Sequence, residues 1–103
     1  MVSIIYSTTG NVEEARKIGR ILVEKKLVAC VNILPKIESI YRWQGNIEDD
    51  AEALLIAKTS EKNIQRTIQK IKEIHSYDIP DIVVFPLTDG LKEYLDWVED
   101  ETA

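Results

Sequence analysis

Hydrophobic positions along the chain change period several times, and each change marks an element. Residues 2–7 are dense in β-branched side chains and read as a strand, followed by a loop, Thr8-Thr9-Gly10-Asn11, whose glycine allows a sharp turn. From Asn11 the period lengthens to that of a helix. Asn11 is a capping residue, Glu14 stands at the capping-box position, and Ala15, Ile18, Gly19 and Leu22 recur at the spacing of one buried face. Gly19 on that face predicts close packing against a sheet. The basic pair Lys25-Lys26 ends the helix where its dipole is negative.

Residues 29–59 then read as two long strands joined by the turn Gln44-Gly45-Asn46. The first arm covers 29–34 and 37–43, rich in β-branched and aromatic residues and broken only at Pro35-Lys36. The second covers 48–59 and ends in Ala53-Leu54-Leu55-Ile56-Ala57. Strands usually run to about five or six residues. The tip carrying Tyr41, Trp43 and Ile47 is therefore expected to project beyond the sheet and to require a partner. Thr59 or Ser60 is expected to cap a second helix, with a stripe of Ile64, Ile68, Ile71 and Ile74 or His75. Residues 77–80 break it at Pro80, residues 82–85 make a fully apolar strand closed by Pro86, and Asp89-Gly90 opens a last helix. Leu91, Tyr94, Leu95 and Val98 form its face, and the acidic end at 99–101 is expected to fray.

The order β-α-β-β-α-β with an added C-terminal helix is that of an α+β, ferredoxin-like split sandwich with a long β2-β3 hairpin. Both crossover helices share one face of the sheet, and the third is too short to cover the other, so self-association is expected. With 103 residues the chain holds one domain, residues 1–103. The net charge of −5 disfavours nucleic acid as a partner, and the stripe Lys62, Arg66, Lys70 reads as a solvated helix face. Apolar runs fall far short of the roughly 20 residues of a membrane span. The single cysteine fits a reducing compartment, so the expected location is the cytoplasm.

Candidate chemistry is sparse. His75 ends the second helix, where a histidine serves either as a dipole contact or as a ligand, and Cys30 sits in a strand where a thiol is either a small hydrophobe or a ligand. Zinc and copper sites need three or four ligands, more than this pair supplies. Glu48-Asp49-Asp50 and Glu52 offer oxygen ligands or simply solubilise an exposed hairpin. No nucleophile elbow, P-loop or dinucleotide turn is present, so a non-enzymatic role is expected. Lys58 and Arg42 leave open an anion-handling enzyme without a placed nucleophile. Strand alternation puts Tyr41 with Trp43 on one side and Glu52 with Lys58 on one side; with His75 and Tyr77 they form either a ligand cleft or a subunit interface.

Taken together, Ala29-Cys30-Val31-Asn32, Ser39 to Tyr41, Trp43, Gly45, Glu52, Lys58-Thr59, His75, Tyr77, Pro80, Tyr94-Leu95 and Trp97 resemble the CutA divalent-cation tolerance proteins nearly end to end. That resemblance implies a ferredoxin-like fold, a tight homotrimer, a role in tolerance of copper and other divalent cations, and likeness to PII signalling proteins, which bind effectors between subunits. Of the ligands in its copper-linked members only His75 is kept; with Cys30 from the strand reading it makes the pair of metal candidates, copper or zinc being the ion, while Tyr41, Trp43, Glu52, Lys58 and Tyr77 are the expected cleft residues. The chain departs from the family pattern at His75-Ser76-Tyr77 and Pro80-Asp81, where His-Pro-Tyr and Pro-Glu are usual. Copper-linked bacterial members carry a cysteine and a second histidine where Ser7 and Ile74 stand here, which implies weak copper or zinc binding.

Overall fold

The computed structural model describes residues 1–103 and places β1 (Val2–Thr9), α1 (Val12–Glu24), β2 (Cys30–Trp43), β3 (Asn46–Ser60), a 3₁₀ turn (Glu61–Asn63), α2 (Ile64–Ile74), β4 (Ile82–Pro86) and α3 (Lys92–Glu101) in that order. The strands form one antiparallel sheet ordered β2-β3-β1-β4, the split arrangement expected from the element order. Ile5, Leu55 and Ala57 point to one face and meet Ile18 and Leu22 of α1 and Ile71 of α2, so the core lies between sheet and helices.

Local chemistry sets the element ends. The Asn11 side chain accepts from the Glu14 amide at 2.8 Å and starts α1. Gly19 lies so close to the sheet that a Cβ there would stand 3.0 Å from Val31 Cγ1. Past the helix end, Lys26 adopts φ 59°, while the Leu27 amide donates to Leu22 O and the Lys26 amide to Val23 O. This pair of bonds is a Schellman closure with lysine at the position that glycine usually takes. At the hairpin, Gln44 and Gly45 have φ of 49° and 83°, as a two-residue turn matching the strand twist requires.

Pro35-Lys36 does not end the first arm but bulges it. Leu34 pairs with Leu54 and Ile37 with Glu52, so two residues of β2 face the single residue Ala53. The bulge reverses which residues of β2 share a face with the even positions of β3. Beyond it Ser39, Tyr41 and Trp43 stand on the side of Asp50 and Glu52.

Several expectations change. The second helix is preceded by the 3₁₀ turn, and neither Thr59 nor Ser60 caps it by side chain: Thr59 Oγ1 donates to Leu27 O instead. Its buried face includes the polar Asn63 and Thr67 beside Ile71 and His75. Strand β4 is an edge, with Val83 and Phe85 exposed on the side away from α1 and α2. The C-terminus does not fray at 99–101, because Thr102 is buried, donates to Val98 O at 2.7 Å and to Ser60 Oγ at 2.9 Å, and accepts at its carbonyl from Asn63 Nδ2. These bonds hold α3 across one end of the second sheet face, where Val98 is its one fully buried apolar side chain. Leu91 and Tyr94, assigned to a packed face, remain exposed.

Candidate functional site

At the base of the hairpin a cleft of about 530 Å³ opens between β1, the twisted arms and the loop after α2. Its aromatic walls are Tyr6, Tyr41, Trp43 and Tyr77. Its acidic groups are Glu52, Asp78 and Asp81. The Tyr77 hydroxyl donates to Glu52 Oε2 at 2.6 Å and the Tyr41 hydroxyl to Asp50 Oδ2 at 2.5 Å. Burial, reinforced by the Glu52 hydrogen bond, pushes the Tyr77 phenol well above its usual value; the bond to Asp50 raises Tyr41 to about 12. Both stay neutral donors. Asp81 Oδ1 accepts from the Thr8 hydroxyl at 2.6 Å and from its amide at 3.3 Å, which ties the loop to the end of β1.

His75 stands behind this loop with its side chain fully buried. Its Nε2 donates to Thr8 O at 2.8 Å, and its Nδ1 accepts from the Tyr77 amide at 3.0 Å. A carbonyl can only accept and an amide only donate, so this pattern defines the Nε2–H tautomer and engages both ring nitrogens. Glu14 completes the anchor. Its Oε2 accepts from the Ser76 amide at 2.7 Å, its Oε1 from the Ser76 hydroxyl and the Gly10 amide, and it lies 3.6 Å from His75 Nδ1. The capping-box residue therefore ties the cleft loop to α1.

Of the residues singled out in the sequence, Tyr41, Trp43, Glu52 and Tyr77 come together in the cleft, and Lys58 does not. Lys58 shares the sheet face of Glu52 but lies six residues along β3, about 20 Å at the rise of a strand. Its Nζ donates to Asn32 Oδ1 at 2.9 Å and sits 5.8 Å from the centre of the Tyr94 ring. Arg42 is on the opposite side of the ribbon from Tyr41, so no anion site forms between the two cations. Cys30 pairs with Lys58 in the sheet and approaches the Tyr94 hydroxyl at 3.5 Å, which raises Tyr94 to about 12.

His75 and Cys30 are thus not brought together: Thr8, the partner of His75, stands four residues along β1 from Ile4, which pairs with the Lys58 neighbour of Cys30. Nowhere in the chain do three His, Cys, Asp or Glu side chains converge as metal ligands would. Ser7 Oγ is buried without a hydrogen-bond partner, and Ile74 packs on the core. Sequence reasoning missed Asp81 as a loop anchor and Glu14 as more than a cap. Only their bonds to Thr8 and Ser76, 73 and 62 residues distant, reveal those roles.

Fold and site define a small ferredoxin-like α+β protein with a projecting two-stranded ribbon and an acidic, aromatic cleft at its base. Residues 3–101 match the family described as CutA1 divalent ion tolerance protein. The divalent-cation tolerance protein CutA of Thermus thermophilus is 42% identical over the full length of both chains, and its solved structure superposes with a TM-score of 0.97. A structure described as the periplasmic divalent cation tolerance protein CutA from Archaeoglobus fulgidus is 41% identical, covers all of both chains and gives a TM-score of 0.97. The PII-like protein CutA from Nostoc sp. PCC 7120 is 38% identical over 98% of this chain and 97% of its own, with a TM-score of 0.91. Against the longer Arabidopsis thaliana relative the chain spans 54% of the relative's length. The chain belongs to the CutA1 divalent ion tolerance protein family. No helix is long and apolar enough to cross a membrane.

Proposed function

We propose that the protein works as a non-enzymatic homotrimer in divalent-cation tolerance, and that its cleft, completed by a neighbouring subunit, receives a small ligand in the manner of PII proteins. The observation that carries this reading is the ribbon. Pairing between β1 and β3 stops at Thr9 and Ala53, so residues 46–52 of β3 have only β2 beside them. An isolated two-stranded ribbon is marginal in water. This one nevertheless exposes Ile40, Tyr41, Trp43 and Ile47, a surface suited to a second copy. The names of the Thermus and Nostoc relatives support the cation-tolerance and PII-like parts.

Copper or zinc held jointly by His75 and Cys30 does not fit one chain, because both imidazole nitrogens are engaged and the thiol lies elsewhere. A metal ion enters the proposal only as one held between subunits. The exposed Leu34, Val83 and Phe85 favour a second reading, a purely structural trimer whose cleft binds nothing. The proposed compartment is the cytoplasm, supported by a lone cysteine without a disulfide partner in the chain.

Light scattering is the test of assembly. The expected mass is three times 11.8 kDa at micromolar concentration, and a monomer there overturns both readings. A ligand that saturates the cleft separates the first reading from the second.

A further inference from the structure

The cleft has a chemical bias that its family assignment does not specify. Glu52, Asp78 and Asp81 line it, and no Lys, Arg or His does. Glu52 and Asp81 each use one oxygen on Tyr77 and Thr8, and the other oxygen makes no hydrogen bond within the chain. A phosphate or carboxylate ligand would meet these charges with no lining cation from the same chain to offset them. A hard divalent ion wants about six oxygens at short range, and no three acidic side chains converge. A neutral apolar ligand would strip water from the carboxylates and return nothing.

The aromatic walls supply what remains. With the Tyr41 and Tyr77 hydroxyls tied to Asp50 and Glu52, the two rings act as fixed walls beside Trp43. Aromatic faces attract organic cations, whose charge is spread and weakly hydrated, more effectively than they attract small hydrated metal ions. At about 530 Å³ the volume falls within the roughly 300–1,000 Å³ of small-molecule sites. We propose that the cleft selects an organic ammonium cation, its charge set among the Glu52, Asp78 and Asp81 carboxylates and its carbon substituents against Tyr41, Trp43 and Tyr77. This rests on the ligand-cleft reading above and narrows its ligand class.

Choline is a suitable probe because 3,3-dimethylbutan-1-ol has the same shape without the charge. Calorimetry on the assembled protein is expected to show choline binding at least about tenfold tighter than the neutral isostere. Glu52→Gln, which keeps an acceptor for Tyr77, and Asp78→Asn, at an exposed position of the cleft loop, are each expected to weaken choline about tenfold or more. Equal binding of the two isosteres, preference for zinc or ATP, or no choline binding overturns the proposal. Light scattering on the same samples assigns the failure. A trimer that ignores choline removes the ligand class alone, and a monomer removes the assembly reading with it.

Discussion

The two faces of the sheet are built from similar residues and finished differently. Toward α1 and α2, Ile5, Leu55 and Ala57 are fully buried against Ile18, Leu22 and Ile71. On the other face α3 covers one end, and Leu34, Val83 and Phe85 remain 45–52% exposed; on the ribbon, which runs beyond the helices, Ile40 and Ile47 reach 67% and 71% although they share the face of Leu55 and Ala57. Apolar character alone therefore does not say what a residue is for. The closed side holds the chain together, and the open side is the one the proposed assembly would use.

The sharpest test sets one substitution in the closed core beside one on the uncovered ribbon. Leu22→Ala, in a site with no exposure, is expected to cost about 3–4 kcal/mol and to lower the urea midpoint at every protein concentration. Ile47→Ala is expected to change the stability of the chain's own fold by less than about 0.5 kcal/mol and to weaken association instead. Denaturation repeated over a dilution series reads both. Equal, concentration-independent losses would erase the distinction.

How legible each side was follows from the same contrast. The stripe Ala15, Ile18, Gly19 and Leu22 announced the closed face because every member is buried and falls on a helical period. Asn63, Thr67 and Thr102 are equally buried but polar, so a hydrophobic pattern passes over them. Their reason is long-range: Thr67 Oγ1 approaches Leu27 O and Asn63 Nδ2 reaches Thr102 O. Four of the five residues read as a cleft, Tyr41, Trp43, Glu52 and Tyr77, line one cavity, since aromatic and acidic positions on a long hairpin are visible as such. Lys58 lies apart from that cavity within one chain, because alternation gives the face of a residue and not its distance along the strand. His75 and Cys30 stand apart within one chain for a related reason: spacing along the sequence cannot show that the imidazole bonds to Thr8 O.

Where the two regions join, Glu14 offers a pH handle. Burial alone would raise its pKa, but hydrogen bonds from the Ser76 amide and hydroxyl and from the Gly10 amide outweigh it, leaving the value below the ordinary 4.5. A depressed folded-state pKa means that Glu14 contributes stability fully above its unfolded value and loses it as pH falls through the folded one. Glu14→Gln is expected to cost about 1–2 kcal/mol at neutral pH. The gap between wild type and variant is expected to hold constant above about pH 5 and to narrow below about pH 4. Urea midpoints of both proteins across pH 3–7 check this; a gap that widens toward low pH would show that the carboxylate does not anchor the loop.

The smallest effects probe whether the ribbon belongs to the same cooperative unit as the body. Lys26 and Gln44 both hold positive φ, 59° and 49°, in the left-handed region where an L side chain costs about 1 kcal/mol or more. Lys26 is welded to the core side, because its closure bonds reach Leu22 and Val23 and its carbonyl accepts from Asn63 Nδ2 at 3.3 Å. Lys26→Gly removes the strain and returns part of the gain as unfolded-chain entropy, so the expected net is about 0.5–1 kcal/mol of added stability. Gln44→Asn favours the same hairpin turn, but the turn caps a ribbon that touches no core. Its expected gain in global stability is below about 0.5 kcal/mol, while hydrogen exchange at the amides of residues 41–48 slows. If Gln44→Asn raises the urea midpoint as much as Lys26→Gly, the ribbon unfolds with the body and the two regions are one unit. If only the local exchange responds, the ribbon opens on its own, and its order in the working protein comes from what binds it.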